Sequence, residues 1–424
     1  MAVSRIVQLA ETIQSNTAKV DTHFTLQNLP SPSFDHDFPA SLPEEIEQAR
    51  NAIIDAADEI TDLMQGSKEL LEVPPALPSV LGLQLVNKFG VATSLAPDEQ
   101  VSFAELAARC DLPVSDLRRI VRYCISRHIF KEPQMGFVAH TAASRTLATN
   151  EEIRDRVWLS CEQIWPAAAH LGDAIEKWRG SEEVNETGYN LAHNTELSFF
   201  GTMERNPEHE RRFANVMRAL KTAPDAAAPI KHLLSSFDWA SVGTVVDVGG
   251  SHGALSIEIV RNYPSITCTV QDLPEVVAQG SRNIPGDVAE RVKFMAHDFF
   301  KPQPVHGADV YFLGWILHDW SDKNAISILR SLIPALKNGA YVVLYEMSVP
   351  PPGILPFYKE KMIRAADLGL KALFNGKERD AEDWKQLFHD ADPRFKFLGL
   401  SVAPGFPSAV IQTQWEQSSI AKSP

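Results

Sequence analysis

From Val242 onward, short β-branched runs alternate with helical stretches, and this alternation constrains the fold more than any other feature of the chain. The runs are TVVDVG, TCTVQDL, VKFMAHD, ADVYFLG and AYVVLYE. Such a pattern builds βαβ units, and so a mostly parallel sheet covered on both faces by helices. In open sheets of this kind ligands bind beyond the C-terminal ends of the strands. The polar residues that close each run are therefore the first candidates for function.

Bulk properties narrow the partners. The chain has 424 residues and a net charge of −14, a poor match to a surface that holds phosphate backbones. No nucleic-acid partner is expected from that balance. No run of about 18 apolar residues occurs and the N-terminus lacks a secretory apolar core, so no membrane partner is expected either. The four cysteines, Cys110, Cys124, Cys161 and Cys268, are not spaced as metal or redox pairs. They read as buried thiols of a reducing, cytoplasmic setting. With no metal-ligand cluster in the sequence, a metal-independent reaction is expected.

Four regions are distinguishable. Residues 1–43 read as an amphipathic helix followed by a proline-rich arm, NLPSPSFDHDFPASLPEE. Residues 44–150 begin with a helix from Glu44 to about Gly66. From Val73 to Leu147 the pattern is a winged helix-turn-helix, with two helices joined by DLPVSD and then a small β-wing over KEPQMGFVAHTAASRTL. That shape serves DNA readers and protein-interaction modules alike; the acidic balance favours interaction. Residues 151–235 are helical and rich in aromatics, and 236–416 hold the alternating sheet.

Within the sheet region the first run opens into Gly249-Gly250-Ser251-His252-Gly253 and then a helix. A strand, a glycine turn and a helix bring backbone close to a ligand. Ser251 stands where a dinucleotide fingerprint needs glycine, so a nicotinamide cofactor fits poorly. The second run ends at Asp272, some 25 residues beyond Asp247, suited to ribose hydroxyls or to capping the next helix. The third ends in Asp298-Phe299; the acid can accept from an adenine amino group, or serve as a turn acid, while the ring stacks on the base. Three successive strand ends of this kind describe an adenosine site.

Taken in order, VVDVGGSHG, VQDLPEV, HDFF, ILHDWSD and NGKERD resemble the caffeate-type O-methyltransferases of plants and fungi, over about residues 75–415. The resemblance implies an α/β fold: a Rossmann-like, doubly wound class I methyltransferase sheet with an N-terminal helical, winged-helix dimerisation domain. It implies S-adenosyl-L-methionine as cofactor and a homodimer. Carried over by position, Gly249 and Gly250 lie against the cofactor, Asp272 takes the ribose, and Asp298 with Phe299 frames the adenine. Gly314 stands where the family carries a basic cofactor contact. His318 matches the general base, and Glu346 and Glu378 match the carboxylates that flank it. Trp165, His170, Phe213, Met217, Met362 and Phe374 lie on segments that line the pocket in similar enzymes, which implies a small aromatic or polyketide-like substrate.

These residue types suit methyl transfer. A phenol, with a pKa near ~10, is a poor nucleophile until a neutral histidine takes its proton. A carboxylate on the other ring nitrogen fixes the tautomer and stabilises the imidazolium. The expected function is O-methylation of a phenolic or enolic hydroxyl of a secondary metabolite. The alternative is a methyltransferase-like enzyme that uses the bound cofactor as a fixed charge for dehydration or pericyclic cyclisation. Gly314 and the altered glycine loop leave that open; the three base residues speak against it.

Overall fold

Each of the five runs forms a strand. In the computed structural model, which describes residues 3–39, 41–71, 76–222, 227–403 and 406–417, the chain divides into two units. The expected starts at Met1 and Val73 lie outside the described residues.

The first unit comprises Met1–Ala169, Met203–Ala219 and Pro356–Met362. Its N-terminal helix, Arg5–Leu26, packs on the helix Glu44–Leu71 through Val20, Phe24, Ile46 and Ala49. Gly66 interrupts the second helix with φ 69°, at the place where the sequence signals its end. The proline-rich arm lies on the winged segment: Phe34 stacks on His128 at 3.8 Å and its carbonyl accepts Ala142 N–H. The wing contains β1 (Gln100–Ser102), β2 (Phe130–Lys131) and β3 (Phe137–His140), antiparallel in the order β1-β3-β2. Helices Phe103–Arg109 and Val114–Ser126 pack on it through Leu106, Leu117, Val121 and Cys124, all buried. One expectation fails. Residues 142–147 are not wing but helix, Ala142–Thr149, because Thr141 and Ser144 form a reciprocal capping box at its start.

The second unit comprises His170–Thr202, Leu220–Leu355 and Ile363–Pro424. Its sheet is β4 (Thr244–Val248), β5 (Thr267–Asp272), β6 (Val292–Ala296), β7 (Val310–Gly314), β8 (Tyr341–Met347), β9 (Phe395–Val402) and β10 (Ser408–Trp415). The strand order is β6-β5-β4-β7-β8-β10-β9. β4 to β8 pair in parallel, whereas β10 runs antiparallel to both β8 and β9. The sheet is thus the expected doubly wound class I methyltransferase sheet, closed by two antiparallel strands outside the five runs.

Period-two side chains explain why the sheet is covered twice. Tyr311, Leu313, Val342 and Leu344 join one core with Trp384, Leu387 and Phe388 of helix Ala381–Ala391. Val310, Phe312, Val343 and Tyr345 join the other, with Leu255 and Ile259 of helix Ala254–Asn262. Every residue of β7 is buried. Full burial of such side chains contributes roughly 1.5–3 kcal/mol each.

Topology then places the site. The chain steps outward from β4 through β5 to β6, then returns to the other side of β4 to form β7. The reversal opens a crevice at the C-terminal ends of β4 and β7, where ligands of doubly wound folds bind. The glycine loop leaves β4 and the His318 turn leaves β7, so both face this crevice.

Two glycines test the packing. A Cβ at Gly250 would press on the Asp247 carboxylate and stand 2.7 Å from Val270 Cγ1, whereas one at Gly172 in helix Leu171–Lys177 meets nothing within 4 Å. Gly250→Ala should lower the unfolding free energy in urea by about 1–3 kcal/mol. Gly172→Ala should raise it by about 0.5–1 kcal/mol. Equal effects would contradict the packing described here.

Candidate active site

The glycine loop is held by backbone. Gly249 N–H and Gly250 N–H donate to the carbonyl of Gln271 at 2.8 and 3.0 Å. Gly249 has φ 74°, and a Cβ there would stand 2.6 Å from Ile316 Cδ1 and 3.5 Å from Phe299 Cε1. The loop therefore lies against both the candidate adenine ring and the turn that carries His318. Ser251 adopts φ 54°, a left-handed conformation that glycine would hold at lower cost.

Asp272 latches this loop. Its Oδ2 accepts Ser251 N–H at 2.8 Å and its Oδ1 accepts Leu273 N–H at 2.8 Å. Asp298 Oδ1 accepts Phe300 N–H at 2.9 Å, the turn role weighed for it from sequence. Phe299 meets Trp320 edge-on at 5.8 Å. The strand ends thus offer what an adenosyl group needs: close backbone at the loop, two carboxylates with further acceptor capacity, and an aromatic ring.

His318 lies in the short turn Leu317–Asp319 after β7. Its Nδ1 is 3.0 Å from Glu378 Oε1 and its Nε2 is 3.5 Å from Asp319 Oδ1. Glu378 follows helix Phe357–Phe374, and its own N–H donates to Asp367 Oδ1 at 2.8 Å. Glu346, fully buried at the end of β8, is placed differently from the expectation. Its Oε1 accepts the backbone N–H groups of Ile316 and Leu317 at 2.9 and 2.7 Å. It holds the turn rather than the ring, because two backbone donors left free by the end of β7 are nearer its carboxylate.

Arg379 completes the grip from the opposite side, and the sequence reading passed over it. It is fully buried, donates to the carbonyls of Leu317 and Trp320 at 2.8 Å each, and pairs with Asp322. Lys377 N–H donates to the carbonyl of His318 at 2.9 Å. Arginine directly after Glu378 in NGKER was the available signal; its carbonyl partners lie about sixty residues away and could not be read from local pattern. Trp315, before His318, has φ 59° and a buried indole N–H without a partner among the described residues. A bulky side chain in that region stores strain of order 1–3 kcal/mol, a mark of functional turns.

The charges are unbalanced. Burial by itself pushes the His318 imidazole down, but the carboxylates of Asp319, Glu378 and Glu346 outweigh it and raise it to about 10. Burial raises the Glu346 carboxyl to about 7 against the lowering pull of His318 and the two backbone N–H groups.

The remaining expected residues fall in both units. Gly314 is buried, and a side chain there would meet Leu255 Cδ1 at 2.7 Å and Phe312 Cε1 at 3.2 Å. The room a basic residue would need is filled by core. Trp165, Phe213, Met217 and Met362 belong to the first unit, where Met362 is 67% exposed. His170 and Phe374 belong to the second. His170 is exposed, with Nδ1 3.2 Å from Asp173 Oδ2. Phe374 is buried and stacks on Phe200 at 5.2 Å. With Phe199, Asp319 and Trp320 these two rings line a narrow cavity of about 10 Å³ beside the base.

Stability should report the buried cluster. Both groups bind their proton more tightly folded than unfolded, where the ordinary values are 6.5 for His318 and 4.5 for Glu346. The stability from His318 is fully present below pH 6.5 and lost as pH rises toward about 10; that from Glu346 is lost between 4.5 and about 7. Melting temperature should fall across pH 6.5 to 10 more steeply in the natural protein than in His318→Gln. Parallel curves would show that the imidazole is not held by these carboxylates.

Comparison with known proteins agrees with this geometry. The O-methyltransferase domain family matches residues 169–393, and the O-methyltransferase dimerisation domain matches residues 82–150. The winged segment is thus a dimerisation module. The O-methyltransferase pyvH of Aspergillus violaceofuscus is 39% identical, covering 98% of this chain and 100% of its own. The grayanic acid biosynthesis cluster O-methyltransferase of Cladonia grayi is 37% identical over 98% of this chain and 88% of its own. Among solved structures, OxaC shares the fold with a TM-score of 0.77 at 20% identity, over 97% of this chain and 100% of that one. The family model over more than half of the chain and near-full-length identity at this level settle the assignment: the chain belongs to the O-methyltransferase family and is an O-methyltransferase whose cofactor is S-adenosylmethionine.

Proposed function

We propose that the enzyme methylates a phenolic or enolic hydroxyl of a small aromatic secondary metabolite, with His318 as general base. The observation that carries this reading is the imidazole itself. Its Nδ1 is fixed by Glu378 while its side chain keeps 13% exposure at the crevice beside the glycine loop. The Glu378 carboxylate accepts from Nδ1–H, which leaves Nε2 as the proton acceptor.

When bound, the cofactor supplies a methyl group on a sulfonium. Asp272 holds its ribose hydroxyls, and Asp298 with Phe299 frames its adenine. Nε2 of His318 takes the substrate hydroxyl proton as the oxygen becomes nucleophilic, and Glu378 stabilises the imidazolium formed. Glu346 and Arg379 keep the turn from moving, since a shift of one ångström at the base costs about a hundredfold in rate. The rings of Phe199, Phe200, Trp320 and Phe374 beside the base give this side of the site an apolar, aromatic character, in keeping with a flat, apolar acceptor. The Cladonia grayi relative's place in a biosynthesis cluster supports a secondary-metabolite substrate, and the dimerisation domain supports a homodimer. Among the described residues no helix is long and apolar enough to cross a membrane.

Incubation of the enzyme with a phenol panel and methyl-labelled cofactor should place label in the product and release S-adenosylhomocysteine. His318→Ala should lower kcat about 10²–10⁴-fold without weakening the cofactor. Asp272→Ala should do the reverse, weakening the cofactor about tenfold or more. Substrate turnover with no transferred label would instead establish the non-methylating cyclase or dehydratase reading. Loss of cofactor affinity in His318→Ala would remove His318 from the base role.

A further inference from the structure

The acid shell of His318 holds more negative charge than the base alone requires. Two carboxylates face the imidazole, Glu378 at 3.0 Å from Nδ1 and Asp319 at 3.5 Å from Nε2, and a third, Glu346, holds the turn that carries it and acts on the ring through its charge. Glu346 and Glu378 each have a second oxygen, Oε2, that is buried and without a hydrogen-bond partner among the described residues. A buried carboxylate oxygen left unpaired is costly, so two of them at one place mark a missing positive charge or donor.

Neighbouring cations do not supply it. The Arg379 guanidinium is engaged by the carbonyls of Leu317 and Trp320 and by Asp322. Lys377 pairs with Asp322 at 3.4 Å and Asp383 at 3.0 Å. Asp367, on helix Phe357–Phe374, faces the Glu378 N–H and adds a further carboxylate. Trp315 presents a ring, 6.5 Å from His318 between centroids. Within this set a proton on His318 offsets the surplus, joined below about pH 7 by one on Glu346.

We propose that this acid shell selects the cofactor by charge: Asp319, Glu346 and Glu378 favour the sulfonium over the neutral thioether product, and the arriving cation exchanges for the proton on His318. The inference rests on His318 acting as the base. In-line transfer would place the methyl donor across the substrate oxygen from His318, where its positive charge would be attracted by these carboxylates. In the exchange one N–H bond of the imidazolium breaks and its proton passes to a buffer base, which leaves the ring neutral and the cofactor itself unchanged. The shell thus does two tasks. It keeps the base silent until the methyl donor is present, and it weakens the hold on the spent cofactor after transfer, because the charge it recognises has gone.

Isothermal titration calorimetry on the full-length enzyme at pH 8, in phosphate and in Tris, tests this with S-adenosylmethionine and S-adenosylhomocysteine as separate ligands. The difference between buffers counts protons released. The natural protein should release a proton with the methionine form and none with the homocysteine form. Asp319→Asn should reduce the preference for the charged form roughly tenfold, as expected for losing one partly screened unit charge, with homocysteine-form affinity nearly unchanged. Glu346→Gln retains an oxygen for Ile316 and Leu317 N–H, and should act the same way if Asp319→Asn disturbs its own turn. Equal proton counts for the two ligands, with an unaltered preference in both variants, would overturn the charge-selection inference and leave the methyltransferase reading standing. Failure of the natural protein to bind either ligand would overturn the reading on which the inference rests.

Discussion

One hydrogen bond, 3.0 Å between His318 Nδ1 and Glu378 Oε1, is what the rest of the second unit is arranged to preserve. It is made between a turn after β7 and a segment after helix Phe357–Phe374, about sixty residues apart in the chain. Neither end is rigid by itself. The turn is pinned below by Glu346 through two backbone N–H groups and above by Arg379 through two carbonyls. The Glu378 segment is pinned by Asp367 and by the contact of Lys377 N–H with the His318 carbonyl. Gly376 is obligatory within it, because a Cβ there would stand 2.6 Å from that same carbonyl oxygen.

This arrangement trades stability for poise. Burying three carboxylates around one imidazole gains less than an apolar core of the same volume would, and Trp315 adds backbone strain. The losses are carried by the double-sided core, where β7 and β8 alternate side chains into two large apolar clusters. The crevice at the reversal of strand order sits above these strands, so the glycine loop and the His318 turn are short and well anchored. Electrostatics then acts at fixed geometry, the condition under which it contributes most to catalysis.

The sheet was legible because β-branched runs ending in polar residues repeat five times, and each run became a strand at its expected place. The glycine loop, Asp272 and His318 with Glu378 were legible because their residue types and order leave few alternatives. Other features were hidden for definite reasons. FKFLGLSV and SAVIQTQW pair antiparallel through register that only the neighbouring β8 defines. Ala142–Thr149 resembles a wing strand until the side chain of Ser144 is seen to close a cap with Thr141. Glu346 carries the residue type of a ring-orienting acid, and which donors it meets depends on where β7 ends. Arg379 is charged yet fully buried, a placement that composition argues against and three-dimensional pairing alone reveals. At Gly314 the sequence showed a missing cation, while the structure shows that Leu255 occupies its room.

The central claim is that the imidazole of His318 meets the oxygen that receives the methyl. A crystal structure of the enzyme with S-adenosylhomocysteine and an unmethylated phenol that it turns over tests this most directly. The account predicts the phenol oxygen within about 3 Å of His318 Nε2, with Nδ1 still on Glu378. An oxygen placed away from the imidazole, or a ring turned so that Nε2 points into the core, would contradict it.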